Sequence, residues 1–225
     1  MLTIGHSTLP IERFLTILRE NGVRVLADIR TIPKSRHNPQ FAQENLAPVL
    51  ADAGIDYRWQ KSLGGLRHAR KDSINTGWRN ASFRGYADYM QTPEFAAAVN
   101  ELLDTTHHTD TVLMCAEAVP WRCHRSLVAD DLTVRGIPVE HIYYDSAGKS
   151  RREPHKLTSF LRVQDERLWY PAGDDLFASL PILLQAQESP EPPTVSASAG
   201  ASSKSASARS TQRAQTGSGR ATKAK

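Results

Sequence analysis

Apolar positions along this chain recur with two different periods, and the alternation between them outlines a fold. Met1 to Gly5 is a short apolar run. Ile11, Phe14, Leu15 and Leu18 then repeat at helical spacing, so a helix is predicted from about Pro10 to Asn21, with Ser7 or Thr8 as its cap and Gly22 as its stop. Val23 to Ile29 reads as a second strand. A helix from about Gln43 to Asp52 is closed by Gly54, although Pro48 weakens its first turns. Ile55 to Trp59 forms a third strand, and a long Gly- and Arg-rich loop follows from Ser62 to about Ser82.

The second half repeats the alternation. Helices are predicted near Arg84 to Met90 and Pro93 to Thr106, a fourth strand at Thr111 to Cys115, a helix from about Arg122 to Arg135, and a fifth strand at Val139 to Tyr144. Strands alternating with helices imply an α/β fold: a single three-layer domain whose mostly parallel sheet is flanked by helices, with right-handed crossovers. The domain is expected to span residues 1–186. From Gln187 onward, Ser, Ala, Thr, Pro and Gly dominate, with scattered cations and almost no large apolar residue. Such a segment buries too little surface to offset the entropy of ordering, so residues 187–225 read as a disordered, basic C-terminal tail.

Charge changes the picture once it is divided by region. The chain of 225 residues carries a formal net charge of +4. The tail accounts for all of it, with six basic residues against two acidic, so the domain is neutral overall. Within the domain, however, the segment from Arg30 to Arg84 holds ten cations and four acids, and an anionic partner would be felt there. No apolar run approaches the roughly 18 residues of a membrane span, and the start lacks the marks of an export signal. A cytoplasmic protein with no membrane association is expected. Its two cysteines are expected to be free thiols.

In parallel sheets, ligands bind beyond the carboxyl ends of the strands. Candidate chemistry collects there. Past the first strand lie Gly5, His6 and Ser7, where His6 and Ser7 are catalytic candidates; the bland alternative is a cap and a histidine satisfying a backbone carbonyl. Past the second comes DIRTIPKSRHNPQF, a long loop in which Arg30 and Arg36 could grip phosphate or carboxylate and Asn38 could add an amide, while Asp28 reads as an arginine's internal partner. Gly64 and Gly65 would let backbone approach a ligand. Arg79, set between Trp78 and Phe83, extends the basic surface with aromatics suited to stacking.

MCAEAVPWRCHR, Met114 to Arg125, holds both cysteines of the chain. Glu117, just beyond the fourth strand, is either an internal counter-ion or an acid/base catalyst. Cys115 reads as a small buried hydrophobe. Cys123, in the first turn of the expected helix between Arg122 and His124, is a candidate nucleophile because the helix dipole and nearby cations favour a thiolate. Arg122, His124 and Arg125 are candidate substrate ligands, the arginines forming an anion clamp at the helix start. The eight-residue spacing of the cysteines fits none of the common zinc patterns, and adjacent Cys123 and His124 could both ligate only with an unusual backbone, so neither a metal nor another cofactor is expected.

TIGHS, DIRTIPKSRHNPQF, LGGLR, WRNASFRGYADYM and MCAEAVPWRCHR, in this order, resemble the signature blocks of the domain-of-unknown-function 488 family, over roughly Leu2 to Tyr144. The resemblance implies an α/β domain with no agreed activity and supplies no catalytic residues. The residues themselves point to an enzyme acting on a phosphate-bearing small molecule or nucleic-acid component. Two alternatives stand beside it: a thiol enzyme using Cys123, and a non-catalytic nucleic-acid-binding module built on Arg30 to Arg84.

Overall fold

In the computed structural model, which describes residues 1–106, 110–145, 149–165 and 167–173, strands and helices alternate through the domain. Strand β1 (Leu2–Gly5) leads to helix α1 (Ile11–Glu20), β2 (Val25–Asp28) to α2 (Gln43–Asp52), and β3 (Asp56–Trp59) to the paired helices α3 (Ala81–Met90) and α4 (Pro93–Thr105). After β4 (Thr111–Cys115) come α5 (Arg125–Val134), β5 (Glu140–Tyr144) and three further strands, β6 (Ser150–Pro154), β7 (Arg162–Gln164) and β8 (Arg167–Trp169). The main sheet has six strands in the order β3-β2-β4-β1-β5-β6, parallel except for the antiparallel edge strand β6. Strands β7 and β8 form a separate antiparallel hairpin.

Successive strand residues point to opposite faces, and the two cores follow that alternation. Ile4, Leu26, Val112 and Met114 pack with Phe14, Ile17 and Leu18 of α1 and with Leu46 and Leu50 of α2 on one face. Ala27, Leu113 and Cys115 face the other, against Tyr86 of α3, Val99 and Leu102 of α4, and Leu127 and Leu132 of α5. The result is the expected three-layer α/β arrangement.

Topology fixes where a site can form. The chain leaves β1 through α1 towards β2 and β3, and leaves β4 through α5 in the opposite direction, towards β5. Strands β1 and β4 are neighbours, paired Gly5 to Cys115 at their ends. Their outgoing loops therefore diverge and open a crevice at the switch point of the sheet.

Several expectations need correction. Helix α5 begins at Arg125, not Arg122, because Pro120–Arg122 make a turn of 3-10 helix and Cys123 is extended. The cap expected from Ser7 or Thr8 is not made: Pro10 precedes α1 with no side-chain cap, and Ser7 instead adopts a left-handed backbone with φ 46°. Helix α3 starts three residues early because the Asn80 side chain accepts hydrogen bonds from the amides of Ser82 and Phe83. Helix α2 runs its full expected length through Pro48. The tail and the boundary at residue 186 lie outside the described residues.

Candidate functional site

The ladder between β1 and β4 continues past the strands. His6 donates its amide to the Cys115 carbonyl at 3.0 Å and Ser7 donates to the Ala116 carbonyl at 2.9 Å. The left-handed Ser7 then turns the chain away, a strained conformation of a kind often found where a side chain must be aimed. Opposite it, the turn from Ala116 to Ala118 is held from below by Arg125, whose guanidinium donates to the carbonyls of Glu117 and Ala118. Gly5 lies directly against this turn.

The end of β2 supplies the next element. Arg30 donates from Nε and Nη2 to both carboxylate oxygens of Asp28, at 2.8 and 2.5 Å, and the Tyr57 hydroxyl donates to the same carboxylate at 2.8 Å. The remaining terminal nitrogen of Arg30 reaches His6 Nε2 at 3.3 Å. A guanidinium only donates, so His6 Nε2 is the acceptor and its proton sits on Nδ1, which donates to the Ser7 carbonyl at 2.8 Å. Stacking on Phe41, with ring centroids 4.0 Å apart, completes its support.

Burial, reinforced by Arg30, lowers the His6 pKa to about 4. On β5, His141 is lowered to about 3, again by burial first and then by the neighbouring His155. Both histidines are thus neutral in the folded protein at mildly acid pH, whereas the unfolded chain takes up a proton on each below about pH 6.5. The unfolded state binds more protons, so stability falls as pH drops from 6.5 towards 4. At pH 5 the two together should remove about 4 kcal/mol, from roughly 1.4 kcal/mol for each pH unit that each group is displaced. Urea unfolding at pH 7 and pH 5 tests this; a His6→Gln, His141→Gln double variant should show a flatter dependence.

A cavity of about 490 Å³ occupies the crevice. His6, Ser7, Arg30, Asn38, Glu117 and Arg122, all singled out from sequence, line it together. A second hollow of about 450 Å³ adjoins it, lined by Trp78, Asn80, Phe83 and Trp121, and the two share Glu117 and Arg122. Sequence reasoning missed Lys34 and Ser35, which line the first cavity and lie in the same loop as Arg36 and Asn38. It also missed Trp121, the most exposed tryptophan of those lining the second hollow, 65 % accessible to solvent.

Other candidates sit elsewhere. Arg36 and Arg79 are exposed and line neither hollow. Arg125 is only 1 % exposed, and its bonds to the turn make it a strut under the crevice. The amides that start α5 are also engaged, Ser126 and Leu127 bonding back to the carbonyls of Cys123 and His124 and Arg125 to the Cys123 sulfur. These three amides of the helix start are therefore not free to bind an anion. Gly64 packs on Thr31, and Gly65 packs against the His124 ring, where an added Cβ would lie 2.8 Å from Cγ.

The cysteines depart furthest from expectation. Cys115, Cys123 and His124 converge, their sulfurs and a ring nitrogen lying within 4.8 Å of one another. The backbone explains how adjacent residues manage this: Cys123 is extended (φ −135°, ψ 141°) and His124 helical (φ −57°, ψ −16°), so the two side chains swing to the same side. Both thiols are buried. The Cys123 thiol donates to Cys115, and with His124 and Arg125 nearby it pulls the Cys115 pKa well down; burial and the Cys115 charge push Cys123 well up. Burial and the neighbouring sulfur thus oppose the thiolate expected at Cys123.

Among the described residues, no helix is long and apolar enough to cross a membrane. Neither the curated proteins nor the solved structures include a match to this chain. One family model does match, over residues 10–132, from the start of α1 into α5, and so takes in the Asp28–Phe41 loop, the paired cysteines and both hollows except the turn at His6 to Thr8. With more than half of its length matched, the chain belongs to the family described as Domain of unknown function DUF488.

Proposed function

We propose that this protein is an enzyme acting on a phosphate-bearing small molecule or nucleic-acid component bound at the carboxyl ends of β1, β2 and β4. The observation that carries the reading is the pair of adjoining hollows that share Glu117 and Arg122. The first presents Ser7, Asn38 and the cations Lys34 and Arg122, the groups a phosphate requires. The second is walled by Trp121, Trp78 and Phe83, as a planar base or sugar ring requires. A nucleotide-like ligand would span the two, with Glu117 between its halves.

In this arrangement Arg122 and Lys34 hold the anion, the Ser7 hydroxyl and Asn38 amide orient it, and Glu117 takes or gives the proton. Neutral His6, with both ring nitrogens engaged, fixes the position of Arg30 and keeps the wall rigid. The binding-module alternative is weakened in part: Arg30, Arg58 and Arg70 pair with Asp28, Asp56 and Asp72, while Arg67 and Arg84 are turned towards backbone carbonyls and keep their charge. The Cys123 alternative is weakened by the burial of its thiol, which opposes ionisation.

Calorimetric titration with nucleoside monophosphates, the matching nucleosides and inorganic phosphate tests the reading. The monophosphate should bind at least tenfold tighter than the nucleoside, Arg122→Ala should remove that difference, and Glu117→Gln should keep binding while ending turnover. Equal affinity for nucleoside and monophosphate would exclude the proposal. Tighter binding of long single or double strands than of any mononucleotide, falling steeply with salt, would favour the module instead.

A further inference from the structure

Cys115 ends β4, and Cys123 and His124 open the turn into α5, on the sheet face opposite α1 and α2. The imidazole Nδ1 stands 3.9 Å from each sulfur. Its other nitrogen, Nε2, is 3.0 Å from the Ile29 carbonyl, an acceptor only, so Nε2 carries the proton and Nδ1 presents a lone pair to the two thiols. A histidine whose distal N–H is held by a backbone carbonyl is the usual arrangement of a metal ligand, with tautomer and ring orientation both set.

We propose that Cys115, Cys123 and His124 form a binding site for a zinc-class divalent cation, with one coordination position left open. Two thiolates and an imidazole are the donors that borderline-soft ions select. In a tetrahedral site, bonds of about 2.3 Å to sulfur and about 2.0 Å to nitrogen hold those atoms roughly 3.6 Å apart, and the observed 3.9 Å needs only a slight contraction.

Three surroundings support the assignment independently of the donors. The amide of Arg125 donates to the Cys123 sulfur at 3.5 Å, steadying a ligand that must carry negative charge. Arg125 itself is buried with no acidic side chain bonded to it among the described residues, so its charge favours a nearby thiolate pair. Gly65 leaves room for the His124 ring where any side chain would press on it. The two ionised thiols release their protons to solvent as the ion binds, and no redox change is involved.

The test uses the full chain, reduced and stripped of metal with a chelator, then titrated with Co²⁺ as an optical probe and with Zn²⁺ as competitor. One Co²⁺ per chain is expected, with sulfur-to-cobalt charge-transfer and tetrahedral d–d bands that Zn²⁺ abolishes. Cys115→Ser, Cys123→Ser and His124→Ala should each weaken binding at least tenfold, and Gly65→Ala should weaken it with all three ligands present. Arg122→Ala should leave it unchanged, which separates this site from the phosphate cavity. The proposal is overturned if reduced wild-type protein takes up no stoichiometric Co²⁺, if binding survives all three ligand substitutions, or if the thiols pair as a disulfide and, once reduced again, ignore the metal.

Discussion

Replacing Asp130 by alanine is expected to destabilise the protein by about 3–5 kcal/mol, the range for removing one partner of a buried charged network. Asp130 lies on α5 and is fully buried. It accepts from His155 Nε2 at 2.9 Å, from the amide and hydroxyl of Thr158 at 3.0 and 2.7 Å, and from the Tyr170 hydroxyl at 2.9 Å. His155 Nδ1 in turn pairs with His141 Nε2 at 2.9 Å, and His141 Nδ1 with the Thr3 hydroxyl at 2.7 Å. One carboxylate thus ties the segments after β6 and β8 to α5 and, through two imidazoles, to β1. Its loss would leave four donors facing no acceptor, and each buried, unpaired group is unfavourable. Asp130→Asn should also be harmful, since the amide turns hydrogens towards groups that already donate. Tyr170→Phe, which removes a single donor, should be milder, about 1 kcal/mol. Urea unfolding of the three variants checks the order; an Asp130→Ala effect below that of Tyr170→Phe would show that the carboxylate does not anchor these segments.

Nothing in the sequence marks Asp130 as such a hub. In VADDLTV it reads as one more polar position on a helix, and its donors lie at residues 155 to 170, beside exposed, charged strands that carry no apolar alternation. Strand β6, SRREP, and the β7–β8 hairpin were illegible for the same reason: their pairing partners, not their own pattern, hold them in place. Strand β4, by contrast, could be read to the residue and helix α2 closely, because each is apolar or amphipathic between clear stops.

The crevice was legible through a rule about sheets. His6, Arg30 and Glu117 are far apart in sequence, yet each follows a parallel strand, and the strands are neighbours in the order β2-β4-β1. The convergence of Cys115, Cys123 and His124 was illegible because spacing rules assume a single loop around an ion. Here the two cysteines are brought together by a strand end and a non-helical turn, geometry that a count of intervening residues does not contain.

The other large effect is expected at Gly5. A Cβ built there would collide with the Glu117 carbonyl and lie 2.7 Å from the Arg125 guanidinium. The carbonyl cannot swing aside, because it belongs to a backbone turn held at both ends. Ala116 accepts from Ser7, and Arg125 grips Glu117 and Ala118. The Gly5 carbonyl is itself fixed by the Tyr144 hydroxyl at 2.6 Å. Gly5→Ala must therefore push β1 and the turn apart, and overpacking against backbone should reach the upper end of its usual range, about 3 kcal/mol. The turn carries Glu117 and the displaced strand carries His6 and Ser7, so ligand binding at the crevice should fall with stability. Gly22→Ala is the control: its left-handed φ of 69° makes alanine strained, yet no atom lies within 4 Å of the added Cβ. It should cost about 1 kcal/mol and leave the crevice untouched. Paired urea melts and monophosphate titrations distinguish the two, and a Gly5→Ala protein no less stable than Gly22→Ala, with binding intact, would mean that the crevice tolerates a wider separation of β1 and β4 than their contact distances allow.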